Sequence, residues 1–287
     1  MNEAASDVAI IGLPGSGKTT LLAAVWHMVR EKGASTSLTF AGLNQGNYEH
    51  LNSLAKRWRS GKRQQRTQLA GTRSVSMRLS DGAGRIVEVS FPDSPGEEFS
   101  RMWERRELDE MMRATLLAPA IVLVVNGDMI RFPVWIAEQN AIQARIGLAP
   151  EAAEAVDWRA ELAPTQVQVV ELLQFLMSGT LDVGARKLAV LITAWDVVEG
   201  EGMEPEEVLS VHLPLLDQYL RNARDPWTWR VWGLSAQGGV YEDADSNEVL
   251  PETEALRELG RPSDRIKVTD GKVASTDITA PLDWLIR

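Results

Sequence analysis

Residues 7–29 read D-V-A-I-I-G-L-P-G-S-G-K-T-T-L-L-A-A-V-W-H-M-V, and the other elements of the chain can be placed relative to them. The first six residues form a short apolar, β-branched run that ends in glycine, which predicts a buried strand. After Lys18, apolar residues recur at helical spacing until Gly33, which predicts a helix. A glycine-rich turn therefore joins a strand to a helix.

This turn contains the complete pattern G-x-x-x-x-G-K-[ST] in its required strand-to-helix setting. In this pattern the backbone N–H groups of the loop and the positive end of the helix dipole surround phosphate oxygens. We expect Lys18 to bridge the β and γ phosphates of a nucleotide and the Thr19 hydroxyl to bind Mg²⁺. The residues predicted to contact the nucleotide here are Gly12, Pro14, Gly15, Ser16, Gly17, Lys18, Thr19 and Thr20.

Short apolar runs alternate with helical patterns along the rest of the chain. The predicted strands cover residues 74–79, 86–91, 120–125, 188–193 and 229–234, and the predicted helices lie within 48–59, 97–115, 169–176 and 208–220. This alternation predicts an α/β fold, a three-layer P-loop sandwich whose mostly parallel sheet is covered on both faces. We expect one domain over residues 1–287, with insertions near 129–163 and 238–277 and a polar excursion at 34–73. Ligand-binding residues should follow the strands.

The composition excludes several classes of protein. Of the 287 residues, 44% are apolar and 24% are charged, as in ordinary globular proteins. Because the chain contains no cysteine, it cannot form disulfides, zinc–thiolate sites or iron–sulfur clusters. The longest apolar run, at 116–125, is about half as long as a membrane-spanning helix, and residues 1–7 lack the basic segment of a secretion signal. We therefore expect a cytoplasmic protein without a membrane span.

The basic residues are distributed unevenly. The formal net charge is −10, yet residues 51–80 hold eight of the 30 basic residues and no acidic residue. Clustered cations can bind nucleic acid by neutralising phosphates, and Trp58 lies among them. The remainder of the chain is strongly acidic, however, and no recognised nucleic-acid module is present. Nucleic acid is therefore the less favoured partner.

A second motif, Asp93-Ser94-Pro95-Gly96-Glu97, directly follows the predicted strand at 86–91. An acid at this strand end can hold a magnesium-bound water, and the N–H of Gly96 can contact a γ-phosphate if the loop moves inward. The same sequence also suits an ordinary type II turn. Its position one hairpin after the phosphate-binding loop favours the first interpretation.

Two further motifs follow later strands, Thr193-Ala194-Trp195-Asp196 and Ser235-Ala236-Gln237. With the four motifs in this order, residues 12–237 resemble the Ras-like and translation-factor-related (TRAFAC) P-loop GTPases. Those proteins carry G-x-x-x-x-G-K-[ST], D-x-x-G, [NT]-K-x-D and S-A-x in the same order. The resemblance implies a Ras-like strand order, GTP as the ligand and Mg²⁺ as the cofactor.

The resemblance also implies how the base is read. Asp196 would accept hydrogen bonds from N1 and N2 of guanine, and the backbone of Ser235 and Ala236 would contact O6. Adenine lacks this pair of donors, so GTP is favoured over ATP. Ala194 stands where the family has lysine, and Trp195 could either stack on the base in its place or simply pack.

Further roles implied by the resemblance concern the metal ion and hydrolysis. A threonine in the loop before the second strand closes on Mg²⁺ in the family, and Thr67 is preferred to Thr72 because its distance from the strand leaves slack for closure. Glu97 stands where Ras-like members have a water-orienting glutamine. A carboxylate cannot donate a hydrogen bond to the transferring phosphoryl group, so slow hydrolysis is expected. Arg63 and Arg66 could assist hydrolysis, but they also suit solvated surface cations.

A narrower resemblance rests on G-L-P-G-S-G-K-T-T-L-L-A-A-V-W, on D-S-P-G-E and on P-L-D-W-L near the end of the sequence. These segments are similar to bacterial double-GTPase or conflict-system small GTPases. The resemblance implies a Mg²⁺-dependent GTP-binding switch with slow hydrolysis, catalytic roles for Lys18, Gly96 and Glu97, and metal contacts from Thr19, Thr67 and Asp93. It also implies a protein partner that binds through the switch loops. The alternatives are an ATPase of the same class and a non-hydrolysing, nucleotide-loaded scaffold that recruits a protein.

Overall fold

The structure is a computed structural model. It describes residues 7–31, 33–64, 74–92, 102–134, 136–147, 157, 159–222, 225–243 and 249–287. None of the helices in these ranges has the length and hydropathy that crossing a bilayer requires.

The described strands form one nine-stranded sheet. They are β1 Val8–Gly12, β2 Leu38–Gln45, β3 Val75–Asp81, β4 Ile86–Phe91, β5 Ala120–Asn126, β6 Arg186–Thr193, β7 Trp227–Ser235, β8 Lys267–Thr269 and β9 Ala274–Ser275. Their order is β2-β3-β4-β1-β5-β6-β7-β8-β9. The five central strands run parallel, and the outer strands at each edge are antiparallel to their neighbours. The predicted α/β fold with a mostly parallel sheet is confirmed.

Helices cover both faces of this sheet. They are α1 Lys18–Met28, α2 Tyr48–Arg59, α3 Glu110–Leu116, α4 Ile136–Arg145, α5 Thr165–Leu176, α6 Trp195–Val198, α7 Pro205–His212, α8 Pro214–Arg221, α9 Pro251–Glu258 and α10 Ala280–Ile286. Alternate residues of β1 face opposite sides, as the two-residue period of a strand requires. Val8 and Ile10 pack in one core with α1, α2 and α10, whereas Ala9 and Ile11 pack in a second core with α3, α5, α7 and α8.

Residues 34–73 differ in part from the prediction of a polar excursion. The helix predicted at 48–59 is confirmed as α2, and the side chain of Asn47 caps it by accepting from the N–H of Glu49 at 2.7 Å. Residues 38–45, however, form the edge strand β2, in which only Leu38 is buried. The pairing of β2 with β3 shifts register at two places, between Phe40 and Gly42 and between Leu43 and Gln45. A strand with one buried residue lacks the apolar run that identifies buried strands.

One helix prediction is also corrected in detail. The helix predicted at 208–220 is two helices, because Pro214 has no N–H to continue the hydrogen bonds of α7 and instead begins α8. Residues 238–277, predicted as a polar insertion, contribute β8, β9 and α9. The insertion near 129–163 contains α4.

The first edge strand is joined to the segment before α10. The N–H of Leu38 donates to Thr279 Oγ1 at 3.0 Å, and the N–H of Ser37 donates to Asp277 Oδ2 at 2.9 Å. Thr279 and Leu38 are fully buried. These contacts join positions that are 240 and 241 residues apart in the sequence.

Candidate functional site

The described motifs lie at one edge of the sheet. They follow β1, β6 and β7, and these strands and β5 are parallel, so their carboxyl ends meet at the same edge. Thr193 Oγ1 donates to the carbonyl of Ser16 at 2.8 Å. Asn126 Nδ2, at the end of β5, donates to the carbonyl of Gly15 at 3.2 Å. The loop after β1 is therefore joined directly to the ends of β5 and β6.

Asn126 is a residue of this edge that sequence reasoning missed. The available signal is its position, because it is the polar residue that ends an otherwise apolar strand, where α/β sheets place their ligand contacts.

Glycine allows the loop after β1 to adopt its path. Gly15 and Gly17 have φ angles of 75° and 97°, in the left-handed region that side chains disfavour. A Cβ atom at Gly12 would lie 2.4 Å from the carbonyl oxygen of Val124, so the loop passes too close to β5 for any side chain at that position. The glycines of the sequence pattern are thus required by the backbone.

Lys18 lies where this loop meets α1. Its Nζ donates to the carbonyls of Gly12 at 2.7 Å and Leu13 at 3.0 Å, which holds the ammonium group across the loop. No described side chain caps the start of α1, and the first N–H groups of a helix have no acceptor within the helix. Ser16 Oγ is buried and has no hydrogen-bond partner among the described residues. An ammonium group, helix N–H groups and a hydroxyl donor together fit a phosphate group.

Thr19 follows in the first turn of α1 and is partly exposed. Mg²⁺ in nucleotide sites is held by one or two protein oxygens together with phosphates and waters. A single hydroxyl next to the phosphate-binding loop fits that arrangement. In the described ranges no group of three or more His, Asp or Glu residues could hold a metal ion, so the fit depends on a nucleotide bringing its own oxygens.

The two segments predicted to contact the base lie next to each other. Asp196 is exposed in the first turn of α6, directly after β6. Ser235 Oγ donates to Asp196 Oδ1 at 2.6 Å and accepts from the N–H of Gly238 at 2.9 Å. This hydroxyl therefore orients the carboxylate and also closes the turn after β7.

Trp195 packs in the core rather than facing the ligand edge. Its side chain is buried, and a Cβ atom at Gly233 of β7 would lie 2.2 Å from the indole ring. Ala194 adopts the left-handed conformation, with a φ of 54°, so the chain turns sharply where the family has lysine. Of the two interpretations of Trp195, packing is the one that agrees with this geometry.

Trp58 is also fully buried, although its sequence neighbours are basic. Its indole Nε1 donates to the carbonyl of Ala236, in the loop after β7, at 2.7 Å. A base can stack only on an exposed ring face. Trp58 therefore cannot serve as the aromatic platform that binding of a nucleic acid to the basic stretch would use.

Acidic residues of the segment after β7 pair with the basic stretch. Glu242 is buried and accepts hydrogen bonds from Lys62 Nζ at 2.9 Å and from Arg257 Nη1 and Nη2 at 3.0 and 2.6 Å. These bonds, first those from Arg257 and then that from Lys62, lower the pKa of Glu242 to about 2. Arg63 and Asp243 form an exposed ion pair at 3.1 Å. The contacts hold residues 62–63 against the segment after β7.

Tyr241 is buried close to residues 235–238, the turn after β7, which is called the base loop. Its hydroxyl has no hydrogen-bond partner among the residues described. Burial raises the pKa of Tyr241, the Arg265 cation lowers it, and the Asp196 carboxylate raises it further. The phenol is therefore neutral at physiological pH and does not add charge to the base loop.

Several predicted site residues lie outside the described ranges. They are Arg66, Thr67, Thr72, Asp93, Gly96 and Glu97. The roles expected of these side chains in metal binding, phosphate sensing and hydrolysis stay predictions.

Three solved structures are similar to this chain. Bacterial selenocysteine-specific elongation factor EF-Sec is 13% identical, with a TM-score of 0.36 over 82% of this chain and 27% of that chain. The signal recognition particle receptor SRb–GTP/SRX complex from Chaetomium thermophilum is 13% identical, with a TM-score of 0.37. The match covers 89% of this chain and 99% of that chain. The GTP-bound GTPase-like domain of Ski7 from S. cerevisiae is 12% identical, with a TM-score of 0.42 over 85% and 46%. This chain thus spans about a quarter of the elongation factor, and among curated proteins none matches.

A family model described as Double-GTPase 1 matches residues 9–285, from within β1 to the last turn of α10. The matched range includes residues 12–26, 93–97 and 281–285, which carried the narrower resemblance. Since the match covers nearly the whole chain, the protein belongs to the Double-GTPase 1 family of GTP-binding proteins.

Proposed function

We propose that this protein binds GTP with Mg²⁺ at the carboxyl edge of its sheet, hydrolyses it slowly and acts as a conformational switch. The observation that carries the proposal is the loop around Lys18, which hydrogen bonds from Asn126 and Thr193 join to the ends of β5 and β6. The motif that ends in Asp196 begins with this Thr193. A nucleotide with its phosphates at β1 and its base near β6 and β7 would use both halves of this edge. We also propose that residues 1–287 act as one domain with insertions near 129–163 and 238–277.

The phosphate end of the site would be formed by the loop amides and Lys18. Thr19 would hold Mg²⁺ directly, with Thr67 as a second ligand and Asp93 through a water, and the ion would supply charge neutralisation on the phosphates. Gly96 would contact the γ-phosphate, and Glu97 would orient the attacking water. Loss of the γ-phosphate would then release the loop that contains Thr67 and the loop that contains Gly96. Release of such loops is the basis of switching in GTPases.

The base end would discriminate guanine from adenine through Asp196. Its Oδ1 accepts from Ser235, which would orient the carboxylate so that its two oxygens can accept from the donors at N1 and N2 of guanine. A protein partner would recognise the loops that respond to the γ-phosphate. We place the protein in the cytoplasm and expect that nucleic acid does not bind.

The test of this proposal measures nucleotide affinity of the full chain with Mg²⁺ by titration calorimetry. We expect GTP to bind at least about 100-fold more tightly than ATP, because a site that hydrogen-bonds donors rejects an analogue that lacks them. Lys18→Ala should abolish triphosphate binding. Asp196→Ala should remove most of the preference for GTP, whereas Glu206→Ala, which deletes an exposed acid of α7, should leave it unchanged. Tighter binding of ATP would remove the role assigned to Asp196 and favour the ATPase.

Phosphate release distinguishes the enzyme from a nucleotide-loaded scaffold. We expect single-turnover release on the order of 10⁻⁴ s⁻¹, as in small GTPases without an activator. Release should be lost in Lys18→Ala. Equal release from the wild type and this variant would contradict hydrolysis and favour the scaffold.

A further inference from the structure

Trp58 makes a hydrogen bond that joins α2 to the loop after β7, which belongs to the proposed site. It lies near the end of α2, is fully buried, and donates from its indole Nε1 to the carbonyl of Ala236 at 2.7 Å, across 178 positions of sequence. Ala236 belongs to the loop that follows β7. A buried hydrogen bond to one peptide of a loop restricts the orientation of that peptide.

The indole itself is held firmly. The guanidinium carbon of Arg265 lies 4.4 Å from the ring centroid, and the His27 ring centroid lies at 5.1 Å. Arg265 is in turn fixed to α2, because its Nη2 donates to the carbonyl of Arg59 at 3.1 Å. Trp58 is therefore packed against α1 and against the segment before β8, and its N–H points in one direction.

The bond to Ala236 determines where the neighbouring amide points. A trans peptide is planar, and its C=O and N–H point in opposite directions. Since the carbonyl of Ala236 faces the indole of Trp58, the N–H of Gln237 points away from it. The hydrogen bond from Gly238 N–H to Ser235 Oγ restrains the other side of the same turn. The loop amides therefore have a fixed orientation before any ligand arrives.

We infer that Trp58 is a positioning residue for guanine recognition, and that its indole N–H holds the Ala236–Gln237 peptide so that the N–H of Gln237 meets O6 of the base beside the Ser235–Ala236 backbone. The inference rests on the proposed GTP recognition by Asp196 and the Ser235–Ala236 backbone. A buried indole N–H needs an acceptor, and that of Trp58 finds it on this loop. Trp26 provides the comparison, since it is equally buried in the same core but donates to Asn52 Oδ1 of α2 at 3.0 Å.

The test combines a protein change with a change of one ligand atom. Trp58→Phe deletes the N–H donor, and 6-thio-GTP replaces O6 by a sulfur that accepts hydrogen bonds weakly. We expect Trp58→Phe to weaken GTP binding by about 3- to 10-fold, the range for one neutral hydrogen bond. It should leave the affinity for 6-thio-GTP within about twofold, because the contact to O6 is already lost there. Trp26→Phe is the matched control and should change the two affinities in parallel. Both are measured by calorimetry with Mg²⁺.

Equal losses for GTP and 6-thio-GTP in Trp58→Phe would show that the indole supports only the fold and would overturn the inference. A selective loss in Trp26→Phe would overturn it as well. Failure of the wild type to prefer GTP over ATP would instead refute the proposed function, so the two failures are distinguishable. If circular dichroism shows that Trp58→Phe does not fold, benzothienylalanine at residue 58 keeps the bicyclic shape without the N–H and is measured in the same way.

Discussion

The hydroxyl group of Thr193 connects the phosphate-binding loop after β1 to the start of the base motif after β6. It lies at the end of β6, donates to the carbonyl of Ser16 at 2.8 Å and lies 3.3 Å from the carbonyl oxygen of Val125. A Cβ atom at Gly17 would be 3.3 Å from the same Oγ1 atom. The threonine of the motif that ends in Asp196 therefore supports the phosphate loop directly.

Thr193→Val is the corresponding prediction at the scale of the residue. It leaves the buried carbonyl of Ser16 without its donor, so the free energy of unfolding should fall by about 1–2 kcal/mol and GTP affinity should fall with it. Thr228→Val, at an exposed position of β7, should change stability by less than about 0.5 kcal/mol. Urea unfolding and calorimetry measure the two effects. Equal changes in unfolding free energy and GTP affinity for the two variants would show that Thr193 does not support the phosphate-binding loop.

Some residues of the candidate site can be predicted from the sequence, and the contacts of others cannot. The glycines and Lys18 are recognisable because one local pattern contains all of them. The packing of Trp195 depends on Gly233, and that of Trp58 depends on Ala236, which belong to another strand and its following loop. Local patterns carry no information about such partners.

At the scale of the secondary-structure elements, the ion cluster around Glu242 fixes the end of α2 to the segment that contains α9. Glu242 accepts from Lys62 and twice from Arg257, and Arg257 Nε also donates to the carbonyl of Ser60 at 3.0 Å. A Cβ atom at Gly61 would lie 2.4 Å from Thr253 Cγ2, which shows how closely the chain approaches α9. The cluster therefore fixes residues 60–62 against α9.

Glu242→Gln should destabilise the protein at neutral pH, because it removes the buried charge with which Lys62 and Arg257 both pair. The folded state lowers the pKa of Glu242 from its ordinary 4.5 to about 2. The stabilisation by the carboxylate is therefore complete above about pH 4.5 and is lost as the pH falls towards 2. The difference in urea midpoint between wild type and Glu242→Gln should shrink over this range. A difference that is constant from pH 7 to pH 2 would contradict the assignment.

Strands β1, β5 and β6 could be predicted because each is a short, nearly continuous apolar run buried on both faces. Strands β4 and β7 include polar and exposed residues, but apolar residues still make up most of each strand. β2 could not be predicted, since it is an edge strand with a single buried residue. Strand β8 and helix α9 could not be predicted either, because no apolar pattern marks them. Ion pairs and packing with distant parts of the chain hold these elements in place.

At the scale of the whole molecule, the edge strand β2 is tied to the segment before α10, and both contribute to the same core. The buried N–H of Leu38 depends on Thr279 Oγ1 as its acceptor. Thr279→Val should lower the free energy of unfolding by about 1–3 kcal/mol because it leaves this donor unpaired. Thr279→Ser keeps the hydroxyl and should cost only about 0.8 kcal/mol for the lost methyl group. Urea unfolding followed by tryptophan fluorescence measures both, and an equal or larger loss in the serine variant would contradict the prediction.

The two irregular borders of the described sheet affect how the protein meets other chains. An unpaired strand edge can act as a template for another strand, which leads to aggregation or to binding by strand addition. The outer strand β2 shifts register twice along its length, and β9 at the other border is only two residues long. Neither border offers a long, regular row of hydrogen-bonding groups. Self-association through the sheet is therefore disfavoured, and a partner has to recognise side-chain surfaces or loops rather than extend the sheet.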